Sequence, residues 1–211
     1  MKIKFSVLTI ALLSLVACTK SVENAATINP SGHSVSAAHQ NLTNNNTHDF
    51  VQYTISQGQQ FCDKSSYQPV SYDSLSFMVR FDSSAIYQTA AESNQDDINK
   101  LFGFSDNNDQ HQLYSARFGW RWSDNALRIF GYVYNNGVRS FKELGSVSIG
   151  KDNSCSIRVS GKSYVFTLNG KSSTMSRESI TPKAQGYKLF PYFGGDEVAP
   201  HTISIWIKEL V

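Results

Sequence analysis

The clearest alternation of apolar and polar residues lies in residues 113–134, and it predicts two antiparallel strands joined at Asp124-Asn125. Asp and Asn tolerate the positive φ that a two-residue hairpin turn needs. In that register Trp120 and Trp122 share one apolar face, because side chains alternate along a strand. A three-residue turn would mix both faces, so burial of the tryptophan face favours the two-residue turn.

The opposite face of this hairpin has more arginine and aromatic residues than a plain solvent-exposed surface usually has. Such side chains combine contact area with hydrogen bonding at low entropic cost, which suits a binding surface. Gly119 leaves a gap where a ligand or another backbone could approach. We interpret this face as a ligand-binding surface, with a merely solvated surface as the alternative; its residues are Arg117, Arg121, Arg128, Tyr132 and Tyr134.

Short strands separated by turn residues are predicted through the rest of the chain. The alternating runs are residues 50–55, 75–81, 138–141, 146–149, 155–160, 164–168, 187–192 and 201–208, and residues 98–104 form a strand or a short helix. Asn-Gly and Gly-Lys pairs mark several of the turns between them. This spacing, without a long amphipathic helix, predicts an all-β sandwich or barrel over residues 49–211.

The N-terminus resembles a bacterial lipoprotein signal. Lys2 and Lys4 precede an apolar run at residues 5–17, and Cys18 follows directly. We therefore expect residues 1–17 to be a signal peptide and Cys18 to be lipidated (a palmitate-type anchor), which ties the protein to the membrane without spanning it. The alternative is an ordinary signal peptide with a chance cysteine. The expected location is the bacterial cell envelope, at the outer membrane or cell surface.

Composition and charge bear on the tether, the class of partner and the state of the cysteines. Residues 18–48 are polar, rich in Asn, Ser, Ala and Thr, and predict a flexible tether. Net charge is +2 with no run of Lys or Arg, which argues against nucleic acid as a partner. An exported compartment permits a disulfide between Cys62 and Cys155, and two buried free thiols are the equal alternative.

The segments FGFSDNNDQHQ, SARFGWRW, YVFTLNG and YKLFPYFGGDEVAPHTISIWIKEL resemble the concanavalin A-like jelly-roll group, over about residues 50–211. The YVFTLNG strand and turn are similar to those of laminin-G-like domains. The resemblance implies a two-sheet antiparallel β-sandwich, a jelly roll, with a concave face or rim that often contacts glycans. Fold alone does not give function.

Enzymes of this group have signatures that can be sought in the chain. The Glu-x-Asp-x-x-Glu strand of the retaining glucanases is absent. Alginate-lyase-like members have an Arg-rich strand, a Gln-x-His strand and a Tyr-bearing strand, and the arginines and tyrosines of residues 117–134 echo two of these. Gln110 and His111 are adjacent, so on a strand they would point to opposite faces, which argues against lyase chemistry.

Three further places offer candidate chemistry. Asp196, Glu197 and His201 follow paired glycines and could bind a cation or a sugar hydroxyl, with a structural loop as the alternative. Residues 105–109 have oxygen ligands suited to calcium but lack the spacing of a helix-loop-helix site, so a polar loop is the alternative and no cofactor is required. Trp206 could stack on a sugar ring or pack against a loop.

Together these observations predict a lipid-anchored envelope protein whose jelly-roll domain binds polysaccharide without catalysis. Arginine favours acidic polysaccharide, because its fork matches carboxylate or sulfate. The first alternative is a polysaccharide lyase or glycoside hydrolase on the same fold. The second is an envelope scaffold or adhesin whose partner is a protein.

Overall fold

The computed structural model describes residues 49–210. The expected signal peptide, the lipidation site at Cys18 and the tether therefore lie outside the described residues. Within residues 49–210 the helices are two short 3-10 turns, Ser83–Ala85 and Glu92–Asn94. No helix among the described residues has the length and apolar character needed to cross a membrane.

Two antiparallel sheets of six strands each account for the described part of the chain, as the pattern predicted. Sheet I has the order β1-β12-β3-β8-β9-β10 and sheet II the order β2-β11-β4-β5-β6-β7. The strands are β1 (Val51–Ile55), β2 (Pro69–Tyr72), β3 (Ser74–Phe81), β4 (Asn99–Ser105), β5 (Ser115–Ser123), β6 (Ala126–Asn135), β7 (Val138–Val147), β8 (Asp152–Ser160), β9 (Ser163–Leu168), β10 (Lys171–Ser176), β11 (Ala184–Leu189) and β12 (Ile203–Leu210).

The β5–β6 hairpin has the predicted register. Asp124 and Asn125 have φ values of 51° and 55°, the left-handed region that a two-residue turn of this kind needs. Trp120 therefore lies opposite Ile129, and Arg117 lies opposite Tyr132. The turns at residues 136–137, 161–162 and 169–170 also join adjacent strands through two residues.

The apolar faces of both sheets form the core, as expected for a sandwich. Trp120 is fully buried and Trp122 packs against the core at its margin. Phe118 on sheet II meets Phe77 and Phe166 on sheet I, with ring centroids 5.5 and 5.3 Å apart. The prediction that the tryptophan face points inward is confirmed.

Two strands have a β-bulge. In β4 the two residues Leu101 and Phe102 occupy the stretch opposite Phe118, between the pairs Lys100–Gly119 and Gly103–Arg117. The bulge buries both apolar side chains and leaves Lys100 on the outer face of sheet II. In the edge strand β7 the extra residue is Leu144, between the pairs Phe130–Glu143 and Ile129–Gly145.

Some elements differ from the sequence expectations. Residues 98–104 contribute a strand, and the strand predicted at 187–192 ends earlier, at Leu189. Strand β2 has no clear alternation and was not predicted; it forms because Pro69–Tyr72 pairs with the edge of β11. Pairing with a distant strand, rather than a local pattern, decides such short segments.

The loop at residues 105–109, whose oxygen atoms would suit calcium, turns one carboxylate into the protein. Asp106 is fully buried, and its Oδ2 accepts hydrogen bonds from Tyr164 (2.6 Å) and from Arg177 (2.7 Å). Its Oδ1 accepts from Arg177 and Ser179. Because donors surround both oxygens, this loop acts as a structural junction rather than as a cation site.

Of the two alternatives left open for Cys62 and Cys155, the disulfide does not form, and both residues are free and buried. Cys62 follows β1 and its sulfur lies 3.6 Å from the Ser65 hydroxyl, whereas Cys155 lies on β8 opposite Phe77. Burial raises the pKa of both thiols. The alternative of two buried free thiols is the one the structure shows.

Candidate functional site

A cleft of about 730 Å³ lies on the outer face of sheet II, over strands β4 to β6. Residues 61–67 and 187–195 line the same side of the cleft, because Phe61 pairs with Tyr192 and Tyr67 packs against Tyr187. Five cationic or titratable nitrogen side chains line the cleft together with five tyrosines; the nitrogen side chains are those of Lys100, His111, Arg117, Arg139 and Lys188. The cleft is therefore an aromatic and basic depression of a size suited to a small ligand or a few sugar residues.

Arg117 lies at the centre of the cleft and is only 8% exposed. Its guanidinium forms no hydrogen bond or ion pair with any residue from 49 to 210, and the hydroxyl-bearing rings of Tyr132, Tyr134, Tyr187 and Tyr192 are its polar neighbours. Burial lowers the pKa of Arg117 to about 10. A buried cation without a counter-ion is costly, so this position is electrostatically unsatisfied.

Space beside Arg117 depends on Gly103, which lies opposite it on β4. A Cβ at Gly103 would overlap the Cα and Cβ of Arg117 and the Ala116 carbonyl oxygen. Gly119, in contrast, does not open a gap for a ligand, because the Ile98 side chain occupies that space. The close approach expected at Gly119 is therefore made by the chain itself.

Lys100 adds a second positive charge to the cleft. Its Nζ donates a 2.6 Å hydrogen bond to the Gly194 carbonyl and lies over the rings of Tyr132 and Tyr192, at 5.4 and 5.9 Å from their centroids. Burial, assisted by the charge of Arg117, lowers the pKa of Lys100 to about 8. This ammonium can therefore lose its proton near neutral pH.

His111 and Tyr187 form a polar pair at one side of the cleft. The Nδ1 of His111 lies 2.9 Å from the Tyr187 hydroxyl oxygen, which also accepts the His111 backbone N–H at 3.1 Å. Burial lowers the pKa of His111, so its imidazole is neutral at pH 7. The expectation that Gln110 and His111 point to opposite faces of a strand is wrong, because residues 111–113 form a turn.

No Asp or Glu is among the described residues that line the cleft. Lys188 also borders it, but its ammonium is paired with Glu209 at 2.7 Å. The unpaired charges of the described lining are thus positive, and the carboxylates that act on Lys100, those of Asp97 and Asp196, lie outside the lining. A pair of carboxylates flanking a bound sugar, the usual arrangement of glycoside hydrolases, is not present there.

The residues predicted for the ligand-binding face of the hairpin lie in different surroundings. Arg117, Tyr132 and Tyr134 line the cleft. Arg121 donates to the Asp96 carbonyl at 2.7 Å, outside the cleft lining. Arg128 lies at the turn end of the hairpin and is paired with Asp124 (2.8 Å) and Glu143 (3.0 Å). Register placed all of them on one face, but only one of the three arginines reaches the cleft.

Trp206 and His201 lie apart from this cleft. Trp206 is on β12 of sheet I, paired with Gln52 and Arg80, on the face opposite the buried isoleucines. His201 places its Nε2 2.8 Å from the Ser84 carbonyl oxygen and so fastens the start of β12. The sheet order therefore separates these two side chains from the arginines, and sugar binding by Trp206 stays a prediction.

Glu197 has a structural role in the loop before β12. Its carboxylate accepts hydrogen bonds from the N–H groups of Ala90 and Ala91 and from Asn94, each at 2.8 Å. These bonds lower the pKa of Glu197. Asp196 is exposed beside it, and within residues 49–210 no group of three or more His, Cys, Asp or Glu side chains is arranged to hold a metal ion. The alternative of a structural loop therefore holds for Glu197, whose carboxylate joins this loop to residues 90–94.

Among the cleft residues, the sequence did not point to Lys100, Arg139, Tyr187 or Tyr192, and it pointed to His111 only as a candidate for lyase chemistry. The sequence leaves residues 98–104 as either a strand or a short helix, and a bulge decides on which face of the sheet the Lys100 side chain lies. The adjacent Gln110 and His111 were weighed against a strand geometry that this turn does not have. The segment YKLFPYFGG, noted for its resemblance, contributes Tyr187 and Tyr192.

Comparisons with known proteins agree with this architecture. Neither a protein-family model nor a curated protein matches the chain. Among solved structures, the alginate lyase AlyC3 superposes with a TM-score of 0.54 at 9% identity, covering 78% of this chain and 75% of that chain. A glycoside hydrolase family 16 endo-glucanase from Bacteroides ovatus superposes with a TM-score of 0.52 at 11% identity, covering 76% and 80%.

These identities are too low to show more than the fold. The class that the fold defines is the concanavalin A-like jelly-roll sandwich, as the sequence resemblance implied. A further solved structure of this kind is AlyC3 in complex with dimannuronate, with a TM-score of 0.52, 9% identity, and coverage of 78% of this chain and 74% of that chain.

Proposed function

We propose that the jelly-roll domain binds an acidic polysaccharide in the cleft around Arg117. The observation on which this rests is a guanidinium that is 8% exposed and has no counter-ion among the described residues. A carboxylate or sulfate of the ligand would supply the missing charge in a bidentate arrangement, which arginine favours. Binding would then remove the free-energy cost of burying an unpaired guanidinium.

The remaining cleft residues suit a sugar ligand. The tyrosines offer ring faces for the C–H groups of a pyranose and hydroxyls for its polar groups. Lys100 and Arg139 line the same cleft and can meet further anionic groups. Solved structures with this fold, an alginate lyase, its dimannuronate complex and an endo-glucanase, support a polysaccharide as the ligand class.

The domain acts without catalysis in this proposal. The absence of carboxylates from the described cleft lining argues against glycoside hydrolysis, which normally needs two. The protein is held at the bacterial cell envelope by a lipid on Cys18. The support for that anchor is the n-region, apolar run and cysteine of residues 1–18.

Calorimetric titration with oligouronates, sulfated oligosaccharides and neutral oligosaccharides tests the binding proposal. We expect the acidic series to bind and the Arg117→Met variant to lose that binding. Arg80→Met is the matched control, because Arg80 lies on sheet I, paired with Asp152 far from the cleft face. Acidic binding that persists unchanged in Arg117→Met would refute the site.

A second function is favoured by the His111–Tyr187 pair beside Arg117. In a polysaccharide lyase, Arg117 would neutralise the uronate carboxylate and so acidify the neighbouring C–H. His111 would take that proton as general base, and the Tyr187 hydroxyl would give its proton to the leaving sugar oxygen as the C–O bond breaks, which yields an unsaturated sugar and a new hydroxyl end. Ultraviolet absorbance during incubation with a panel of uronate polymers distinguishes the lyase from the non-catalytic binding domain. Rising absorbance indicates elimination, whereas binding without a rise in absorbance indicates a non-catalytic domain.

A further inference from the structure

A second cavity of about 590 Å³ adjoins the cleft at strands β2 and β11. The two share Tyr67 and Tyr187 as lining residues, and we call this pair the tyrosine ridge. Its ring centroids are 5.7 Å apart with the planes inclined by 38°. Tyr67 is 77% exposed, so the ridge presents a large aromatic surface to solvent between two depressions.

The chemistry changes across the tyrosine ridge. On the cleft side the charged side chains are cations, whereas on the far side the lining has amides, a serine and one carboxylate, Asp109. No Lys, Arg or His is among the described residues that line the second cavity. A ligand carboxylate there would meet Asp109 without a compensating cation, so this cavity disfavours an acidic sugar.

The amides of the second cavity have unused hydrogen-bonding capacity. Gln185 accepts one bond from Asn108 through Oε1 at 3.2 Å, which leaves its Nε2 free to donate. The side chains of Gln110 and Ser71 make no hydrogen bond to any residue in the described part of the chain. Uncharged donors and acceptors beside an exposed aromatic ring are suited to the hydroxyls and C–H face of a neutral sugar.

We infer that the second cavity is a subsite for an uncharged sugar residue, and that one ligand chain crosses the tyrosine ridge between it and the cleft. The inference rests on the proposed function, because it takes the cleft as the site of the acidic residue. It specifies the ligand further: acidic and neutral sugars alternate or adjoin in the same polysaccharide. A continuous chain is favoured over two separate ligands because the same two rings wall both cavities.

Titration calorimetry of the full chain with four probes tests this arrangement. The probes are a mannuronate trisaccharide, a mannuronate hexasaccharide, cellohexaose, and a hexasaccharide that alternates glucuronate with N-acetylglucosamine. We expect the mixed hexasaccharide to bind about tenfold more tightly than the all-acidic one, a difference of about 1.4 kcal/mol. Gln185→Ala and Gln110→Ala should remove that advantage and leave the trisaccharide affinity unchanged.

The variants make the outcomes distinguishable. Gln52→Ala is the matched control, since Gln52 lies on β1 of sheet I, and thermal unfolding verifies that each variant is folded. If Gln185→Ala and Gln110→Ala leave the mixed-hexasaccharide affinity unchanged while Arg117→Met lowers it, the inference fails and the proposed function stands. If the native protein binds no acidic probe, the proposed function fails and the inference fails with it.

Discussion

Arg177 and Asp106 form a buried ion pair that joins the two sheets, with Arg177 Nε 2.7 Å from Asp106 Oδ2. Arg177 follows β10 of sheet I, and Asp106 follows β4 of sheet II. Tyr164, on β9, donates to the same carboxylate oxygen. The sandwich is thus fastened at one end by polar contacts rather than by apolar packing alone.

Replacing one member of this pair should be strongly destabilising. Arg177→Met leaves the Asp106 carboxylate buried without its cation, and we expect the free energy of unfolding to fall by about 3–5 kcal/mol. Urea denaturation measures the change. A loss below about 1 kcal/mol would contradict the buried-charge account, since it would match an exposed ion pair.

The pH dependence of stability gives a second test of the ion pair between Arg177 and Asp106. Burial alone would raise the pKa of Asp106, but the hydrogen bonds from Arg177 and Tyr164 more than offset it and hold the pKa below its usual range. The pair's contribution is therefore present above the ordinary carboxylate pKa, about 3.9, and is lost as the pH falls through the lower folded value. The stability gap between native protein and Arg177→Met should narrow as the solution is acidified.

Arg117→Met is expected to move stability and binding in opposite directions. Methionine fills a similar volume without an unpaired charge, so the free energy of unfolding should rise by about 1 kcal/mol or more while acidic-glycan binding disappears. Thermal unfolding and calorimetric titration on the same sample measure both. A variant that loses stability as well would indicate that the tyrosine hydroxyls already satisfy the guanidinium.

Binding of acidic oligosaccharides should weaken as the pH rises through about 8, the pKa to which burial lowers Lys100. Below that value the ammonium is present and attracts the ligand; above it the neutral amine does not. Lys100→Met should bind more weakly at pH 7 and lose this pH dependence. Lys208→Met, on β12 of sheet I, is the control and should keep the native profile.

Both cysteines of the jelly-roll domain should behave as protected thiols. Because Cys62 and Cys155 are free and buried, alkylation without reductant should be slow in the native protein and complete in denaturant. Mass spectrometry of peptides containing each residue gives the result. Alkylation that appears only after reduction would contradict this prediction, because it would mean that the two cysteines form a disulfide.

The parts of the fold that sequence could predict are those that local chemistry decides. The β5–β6 register follows because the positive-φ tolerance of Asp124 and Asn125 agrees with burial of Trp120. The outer face of that hairpin, with Arg117 and Tyr132, follows from the same parity.

What sequence could not predict depends on distant pairing. The bulge at residues 101–102 sets the face of Lys100, and the turn at 111–113 brings His111 to the cleft. Alternation shows only which way the Trp206 side chain points. It cannot show that β12 pairs with β1 and β3 in the other sheet.

The Leu144 bulge in β7 also affects how copies of this protein meet each other. A strand from a second copy that paired with the open edge of β7 would lose its backbone hydrogen bonds at the bulge. It would also have to accommodate the neighbouring charges of Lys142 and Glu143. Pairing of two copies of this protein through their β7 backbones is therefore disfavoured. Neighbouring copies would leave uncovered the side of each cleft that Arg139 on β7 lines.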